Sequence, residues 1–486
     1  MSENLINEKE VLLQEEVAED VVADVPAVDV CDDKAEDDVL LKVENLCQYF
    51  KLGKSTLKAV NNVSFDIKRG EVFGLVGESG CGKTTTGRSI IKLYDCTSGN
   101  VYFDGRRICA GTKSYKDTKK AARKAFKAAC KDAEDKCAEQ SKAVNDEYLP
   151  RLEALDSKSQ DYLDLQAECN GKIDAFKAEC KNVQKAELDK YKAIVKEENA
   201  KIKSAKHDHK HCDKMYAQAF VEKVKAEYKE KLANIEKKGS PEYIKTLLNY
   251  VKDYAFARKE RLVTQIQMIF QDPIASLDPR MTVREIIAEG LRIRGIKDRK
   301  VIDEKVYEVL EKVGLVREHA GRYPHEFSGG QRQRIGVARS IIMQPKLIIA
   351  DEPVSALDVS IQAQVINLLN ELREELGLTI LFVAHDLSVV KYFSDRIAVM
   401  YFGNMVELAS SEELFKNPLH PYTRSLLSAI PLPDPIYEKT RTRIVYNPLV
   451  DHDYSVDQPS FREVAPGHFV SCNDAEFAKY QEIIKK

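Results

Sequence analysis

The chain has 486 residues, of which 43% are hydrophobic and 31% charged, and its formal net charge is −3. This length is too great for one ordinary hydrophobic core, so we expect two or three folded units. The near-neutral charge argues against a protein that attracts nucleic acid, and no window holds the ~18 consecutive apolar residues of a membrane span. Eleven cysteines without an N-terminal export signal predict reduced thiols.

The first 105 residues start with an acidic tail and continue into predicted strands. Residues 1–38 are acidic and poor in aromatic residues, which predicts a disordered tail. From residue 39 to residue 105, runs such as "VNNVSFDI" and "GEVFGLVG" carry the β-branched and apolar residues of strands. We interpret 39–105 as the first part of a globular core.

Residues 106–262 differ from both neighbours, because Gly and Pro nearly vanish while Lys, Glu, Ala and Asp dominate. Two seams have heptad-like spacing: Leu188, Tyr191, Val195 and Ile202, then Val221, Val224, Tyr228 and Ile235. The pattern predicts an insertion that folds as an antiparallel, coiled-coil-like helical hairpin. The polar stretch "SAKHDHKHCD" predicts its tip near 204–213, and Pro150 and Pro241 predict helix breaks or starts.

The predicted tip contains several metal-ligand side chains, namely His207, His209, His211 and Cys212. Imidazole and thiolate groups could bind Zn²⁺ or Ni²⁺. The alternative is a solvated polar turn without any ligand.

Residues 263–408 return to strands that alternate with helices. The runs "KLIIAD" and "TILFVAHD" are typical of strands buried on both faces of a parallel sheet, and helical stretches such as 360–375 separate them. This pattern predicts an α/β fold. Residues 409–486 are rich in proline and form a small C-terminal extension.

A phosphate-binding loop follows the strand "GEVFGLVG". Residues 77–84, "GESGCGKT", fit the pattern G-x-x-x-x-G-K-[ST]. Glycines let backbone N–H groups surround phosphate oxygens, Lys83 places a positive charge on the β- and γ-phosphates, and the Thr84 hydroxyl can ligate Mg²⁺.

Further polar residues follow other predicted strands or begin helices. Asp351 ends a strand, where it could hold Mg²⁺, and Glu352 comes next, where it could act on an attacking water. The alternative for this pair is two solvated carboxylates at a strand end.

Ser328 precedes a predicted helix, and the N-terminus of a helix favours anions. His385 follows a predicted strand. Alone, His385 would be interpreted as a structural histidine.

These motifs occur in a fixed order that resembles the ABC ATPase family: phosphate loop, Gln271, "SGGQ", "ADEP", "SALD" and His385. The resemblance implies a P-loop NTPase core with an antiparallel β subdomain and a helical signature subdomain. It implies that ATP and Mg²⁺ are bound, and that Glu352, His385 and Gln271 are catalytic.

The resemblance also implies which residues bind the nucleotide and the metal. Those at the nucleotide are Tyr49, Phe50, Gly77, Ser79, Gly80, Cys81, Gly82, Lys83, Thr84, Thr85, Ser328, Gly329, Gly330, Gln331 and Asp358. Tyr49 or Phe50 would stack on adenine, or else pack at a strand edge. Thr84, Gln271 and Asp351 would hold Mg²⁺. Family members work as head-to-tail pairs, and one chain carries a single copy of each motif.

The C-terminal stretches "NPLHPYTRSLLSAIP" and "EVAPGHFVSC" resemble the second ATPase subunit of oligopeptide and dipeptide importers. The implied partners are a second ABC ATPase subunit, two transmembrane permease subunits and, indirectly, an extracellular peptide-binding protein, with no nucleic acid. The implied location is the cytoplasmic face of the plasma membrane. Nickel or another small solute is an alternative cargo.

This chain departs from its family in two places. Many relatives carry several C-terminal cysteines that suit an iron–sulfur cluster, but here only Cys472 is present, so no cluster is expected. The insertion at 106–262 replaces a short connection.

Chromosome-maintenance ATPases also insert a coiled coil into the ATPase domain, but in that family the Gln loop precedes the coiled coil, whereas here Gln271 follows the insertion. Translation factors with paired ABC domains need two phosphate loops, and this chain has one. We expect a docking or regulatory arm.

Overall fold

The computed structural model describes residues 38–155, 157, 159–235, 241–355, 357–430, 443–455 and 457–485. The predicted N-terminal tail therefore lies outside the described residues except for Asp38, and so does Ala356 within the "SALD" stretch. The strands are β1 Val39–Leu52, β2 Ser55–Lys68, β3 Val72–Val76, β4 Ser98–Phe103, β5 Arg106–Ala110, β6 Ile266–Ile269, β7 Leu347–Asp351, β8 Thr379–Ala384, β9 Arg396–Tyr401, β10 Asn404–Ser410, β11 Ser460–Ala465 and β12 His468–Cys472.

The strands form two sheets. The smaller sheet has the order β2-β1-β4-β5 and is antiparallel throughout. The larger sheet has the order β11-β12-β10-β9-β3-β8-β7-β6. Its strands β9, β3, β8, β7 and β6 run parallel, and the remaining three are antiparallel. Every residue of β3, β7 and β8 is buried, which explains why these strands are almost wholly apolar.

Most of the helices pack on the larger sheet, whereas the helices of the insertion follow β5 of the smaller sheet. They are α1 Lys83–Ile90, α2 Lys113–Glu153, α3 Gln160–Ala233, α4 Pro241–Ala257, α5 Pro273–Ser276, α6 Val283–Ile293, α7 Arg299–Lys312, α8 Gly329–Ile341, α9 Val359–Leu376, α10 Leu387–Phe393, α11 Ser411–Lys416, α12 Pro421–Ser428, α13 Pro448–Asp451 and α14 Asp474–Ile484. Short 3₁₀ turns lie at Leu262–Gln265, Arg317–Gly321 and Pro324–Glu326.

Two hydrophobic cores meet at the larger sheet. Phe73 and Leu75 of β3 belong to a core shared with the antiparallel sheet, whereas Val72 and Val76 belong to a core shared with α6 to α9. This alternation follows from the period of two along a strand. The mixed α/β fold predicted from the sequence is observed, with the antiparallel sheet on one face of the larger sheet and helices α6 to α9 on the other.

The insertion is helical, but its turns are not where the sequence pattern placed them. Helix α3 runs without interruption for 74 residues, about 110 Å at 1.5 Å per residue, so the predicted tip at 204–213 is wrong. Helix α2 ends at Glu153 and α3 begins at Gln160, where Ser159 caps α3 by accepting a hydrogen bond from the Tyr162 N–H. Pro150 lies inside α2 rather than at a break, while Pro241 begins α4 as predicted.

The stretch at 204–213, predicted as the tip, instead packs against the globular core. Arg107 of β5 binds Asp208, with Nε 2.9 Å from Oδ2, and its guanidinium also reaches Ser204. Lys92, just after α1, donates to the His209 carbonyl at 2.8 Å, and Cys212 is buried. Tertiary contacts thus hold this polar stretch as helix. Within the described ranges, no three His, Cys, Asp or Glu side chains are arranged to hold a metal ion.

Two helical pairs extend from this docked middle of α3. Helix α2 packs antiparallel against the first half of α3, with the rings of Phe126 and Tyr191 stacked at 5.5 Å. Helix α4 packs against the last part of α3, where the Tyr228 hydroxyl donates to Asp253 at 2.5 Å. We refer to α2, α3 and α4 together as the arm.

Helix α4 leaves an apolar stripe uncovered. Its members recur at helical spacing and are each 41–66% exposed: Ile244, Leu247, Leu248 and Val251. In the described part of the chain, no helix is both long enough and apolar enough to cross a bilayer.

Candidate functional site

The phosphate loop packs closely against the backbone of β2 and β9. A Cβ at Gly82 would lie 2.1 Å from the Ala59 carbonyl of β2, and one at Gly77 would lie 2.2 Å from the Met400 carbonyl of β9. Both glycines have positive φ, 108° and 151°, which other residues rarely adopt. The loop therefore needs glycine at these two positions for space and for conformation, as its motif predicts.

Lys83 begins α1 and folds back over the loop. It is 3% exposed, and its Nζ donates to the carbonyls of Gly77 and Glu78 at 2.7 and 2.9 Å. Burial raises the pKa of the neighbouring Cys81 thiol, which keeps that group neutral. Ser79 and Gly80 are exposed at the mouth of the loop, and Thr85 follows on α1. Loop amides and the Lys83 ammonium thus favour an anion.

The side chains of Thr84 and Asp351 meet beside the loop. The Thr84 hydroxyl donates to Asp351 Oδ1 at 2.7 Å, and Asp351 is fully buried at the end of β7. Burial raises the pKa of Asp351. Among the described residues, no donor reaches its second oxygen, Oδ2. A buried carboxylate oxygen without a donor, next to a hydroxyl, fits the oxygen ligands that Mg²⁺ prefers.

Glu352 brings two other predicted residues together. Gln271 Nε2 donates to Glu352 Oε2 at 2.9 Å, and His385 Nδ1 lies 3.1 Å from the same oxygen. Glu352 has a left-handed backbone, with φ of 45°, and its N–H donates to the Val383 carbonyl. This strained turn directs the carboxylate out of the sheet, toward Gln271 and His385.

A small cavity opens next to this group. It measures about 50 Å³ and is lined by Glu352, Pro353, Val354, Ser355, Gln362, Ala384, His385, Asp386 and Val389. That volume accommodates a few water molecules. The carboxylate of Glu352 and the ring of His385 therefore face a space where water can lie.

The signature residues, Ser328, Gly329, Gly330 and Gln331, lie at the start of α8, where Ser328 and Gly329 are exposed and the other two are half-buried. Ser328 accepts a hydrogen bond from the Gln331 N–H, and Gln331 Oε1 accepts one from the Ser328 N–H at 3.1 Å. Gly329 and Gly330 approach Leu357 and Ile361, near the start of α9.

Asp358 is exposed at the N-terminus of α9. Within the described ranges, no hydrogen bond joins the signature or Asp358 to the phosphate loop of the same chain.

Tyr49 and Phe50 lie side by side on β1 and are both half-buried. The Tyr49 hydroxyl donates to Asn61 at 2.6 Å, and burial raises the pKa of Tyr49 to about 12. Phe50 packs edge-on against Tyr94 at 5.3 Å. Both rings have protein neighbours, so packing at the strand edge is observed for each, and adenine stacking stays a prediction.

Motif reasoning missed one contact with the phosphate loop. The Glu78 N–H donates to the hydroxyl oxygen of Tyr422 at 3.1 Å. Tyr422 belongs to the "HPYT" stretch, which the sequence marks as a family feature without indicating where it packs. The two residues are 344 positions apart, so only the tertiary fold brings them together.

Comparison with known proteins agrees with this geometry. The ABC transporter family matches residues 60–238 and 233–355, and the C-terminal region of oligopeptide/dipeptide transporters matches residues 406–452. The oligopeptide transport ATP-binding protein OppF of Bacillus subtilis (strain 168) is 42% identical, over 91% of this chain and 98% of its own length.

Two further relatives are similar over the same extent. AmiF of Streptococcus pneumoniae serotype 4, an oligopeptide transport ATP-binding protein, is 38% identical over 91% of this chain and 98% of its own. The dipeptide transport ATP-binding protein DppF of Lactococcus lactis subsp. cremoris is 36% identical over 91% and 97%. The chain therefore belongs to the family of ABC transporter ATPases found in oligopeptide and dipeptide transporters, as the motifs predicted.

Proposed function

We propose that this chain hydrolyses ATP to power the import of oligopeptides or dipeptides through a membrane ABC transporter. The observation that carries the proposal is the convergence of Gln271 and His385 on Glu352, next to the Thr84–Asp351 pair and the phosphate loop. The match of 406–452 to the oligopeptide/dipeptide C-terminal region favours peptides over nickel or another small solute.

ATP is bound by the phosphate loop. The loop N–H groups and the start of α1 bind the phosphates, and Lys83 neutralises the β- and γ-phosphate charge. Phe50 or Tyr49 stacks on adenine. Thr84, Asp351 and Gln271 would hold Mg²⁺, which would neutralise charge on the β- and γ-phosphates.

Hydrolysis depends on Glu352. A water oxygen attacks the γ-phosphorus, the bond from that phosphorus to the β–γ bridging oxygen breaks, and the water proton passes to the Glu352 carboxylate, leaving ADP and phosphate. Gln271 and His385 orient this carboxylate and the γ-phosphate. The cavity beside Glu352 and His385 supports this assignment, because it has room for the water.

The site is completed by a second ATPase subunit in a head-to-tail pair. The exposed Ser328 at the start of α8 and the exposed Asp358 at the start of α9 support this proposal, since both are accessible to a second subunit. The signature residues Ser328, Gly329, Gly330 and Gln331 of one subunit then bind the γ-phosphate held by the other. We expect no role for nucleic acid.

The transporter's membrane partners are two permease subunits, which receive peptide from an extracellular binding protein. A groove of about 240 Å³ beside Gln271 suits a permease segment, because Leu93 and Phe270 line it and are 56% and 37% exposed. Occupation of this groove would act directly on β6 and therefore on Gln271. The ATPase would thus work at the cytoplasmic face of the plasma membrane.

Replacing Glu352 tests the assignment. Glu352→Gln should retain ATP binding while hydrolysis falls by roughly 10²–10⁴-fold, because the amide cannot take the proton. Glu371→Gln, an exposed change on α9, is the matched control and should hydrolyse normally. ATPase turnover in the purified transporter and binding of a fluorescent ATP analogue give the two readouts. Wild-type turnover by Glu352→Gln would refute the role of Glu352.

We also propose that the arm is a docking element for the transporter's membrane subunits. Helix α4 is followed by Leu262–Gln265, by β6 and then by Gln271. A force that acts on the arm would therefore be transmitted to the catalytic residue Gln271. The exposed stripe of α4 supplies an apolar contact surface.

Two variants divide the arm for this test. Ile244→Glu with Leu248→Glu should reduce assembly with the permeases or peptide-stimulated ATPase activity. Excision of 131–186, closed by a Gly-rich turn, shortens α2 and α3 but keeps the Phe126–Tyr191 stack. Unchanged assembly and transport in both variants would remove the proposed role.

A further inference from the structure

The C-terminal stretch "HPYT" has a local geometry that places one side chain with little freedom. The buried carboxylate of Glu407 accepts hydrogen bonds from the N–H groups of Leu419 and His420 at 2.8 and 3.1 Å. His468 Nε2 lies 2.9 Å from the same carboxylate. The chain is thus fixed at the point where it enters α12.

Each of the next residues has a separate part in starting this helix. His420 is the N-cap, and its Nδ1 accepts the N–H of Tyr422 at 3.1 Å. Pro421 occupies the first helical position, where its missing N–H is no loss. Tyr422 therefore leaves the helix start in one direction, and it is only 2% exposed.

The ring of Tyr422 is fixed by aromatic neighbours as well. The Tyr401 ring lies 4.5 Å away and the Tyr446 ring 5.5 Å away, measured between ring centroids. Burial raises the pKa of Tyr422, so its hydroxyl stays neutral. The hydroxyl oxygen ends at the Glu78 N–H of the phosphate loop.

Glu78 connects this contact to the nucleotide site. Its N–H is bonded to Tyr422, while its carbonyl accepts a hydrogen bond from Lys83. The orientation of one peptide unit cannot change without affecting its neighbours in such a tight loop. We propose that Tyr422 is a positioning residue: it holds the phosphate loop in its ATP-binding conformation, so that the C-terminal extension sets the affinity for nucleotide.

Tyr422→Phe tests this proposal, because it removes the hydroxyl and keeps the ring. Loss of one hydrogen bond that orders the loop should weaken binding of a fluorescent ATP analogue about fivefold. The KM for ATP should rise by the same factor, while kcat should stay within about twofold, since bound ATP restores the loop. Tyr446→Phe, in the same aromatic cluster, is the matched control and should bind with wild-type affinity.

A second measurement separates loop positioning from general packing. Amide hydrogen exchange of a peptide covering 77–82 should be faster in Tyr422→Phe and unchanged in Tyr446→Phe. Equal affinities for Tyr422→Phe and wild type would overturn the proposal. So would a lower kcat at constant KM, or an equal loss of affinity and melting temperature in both variants. None of these readouts depends on which solute is transported.

Discussion

Acidification should destabilise the C-terminal extension through His420, and asparagine at this position should remove that sensitivity. His420 is almost completely buried, and burial lowers its pKa from 6.5 to about 3, with His452 and Arg424 adding to the effect. Its Nδ1 is the acceptor that caps α12, so protonation would also turn that acceptor into a donor.

The sign follows from proton binding. Because the folded pKa lies below the unfolded value, the unfolded state binds more protons between about pH 6.5 and pH 3. The contribution of neutral His420 is fully present above pH 6.5 and is lost as the pH falls. At pH 5 the loss amounts to roughly 2 kcal/mol, and it grows by about 1.4 kcal/mol for each further pH unit until the folded pKa is reached.

The assay compares melting temperatures at pH 7.5 and pH 5 for the wild type and His420→Asn. Asparagine also caps helices but does not titrate. We expect the wild type to lose about 2–4 °C more than the variant on acidification, in addition to what the carboxylates contribute to both. Equal acid shifts in the two proteins would show that His420 can be protonated in the folded state.

Three further changes test individual contacts within the fold. Arg294→Ala should lower the free energy of unfolding, measured by urea denaturation, by about 3 kcal/mol, because it leaves the buried Glu260 carboxylate without its charged partner. Adding Glu260→Gln should recover part of this loss. Gly330→Ala would place a Cβ 2.5 Å from Ile361 Cγ2 and should lower the free energy of unfolding by about 1–3 kcal/mol in the same measurement. The double variant with Ile361→Ala should lose less stability than the two single variants lose in sum. Arg107→Ala should loosen the docked middle of α3 and speed proteolysis there, and an unchanged cleavage rate would contradict the docking contact.

The phosphate loop and the carboxylates of Asp351 and Glu352 at the end of β7 were predictable from the sequence because their signals are local. Gly77 and Gly82 are required by conformation within a few residues, and Asp351 simply ends an apolar run. The strands β3, β7 and β8 were equally clear, since a strand buried on both faces must be apolar. The ABC ATPase recognition followed from these local signals in their order.

The course of the arm could not be predicted in the same way. In the stretch at 204–213, the polar residues Ser204 and Asp208 bind Arg107 of the core and do not mark a helix end. The stretch contains no Gly or Pro, and tertiary contacts decide its conformation. The true turn had a local signal, Ser159 as an N-cap. The contact of Tyr422 with Glu78 left no signal at all, because two surfaces distant in sequence create it.

Helix α3 has a mechanical consequence. It is continuous where it contacts β5. The part of α3 that packs with α2 and the part that packs with α4 therefore belong to one rigid helix, which can pivot at that contact. A push of a few ångströms at the far α2 end would tilt the opposite end in the reverse direction. That end connects through α4 and Leu262–Gln265 to β6, which precedes Gln271, so the displacement would be transmitted to the catalytic residues.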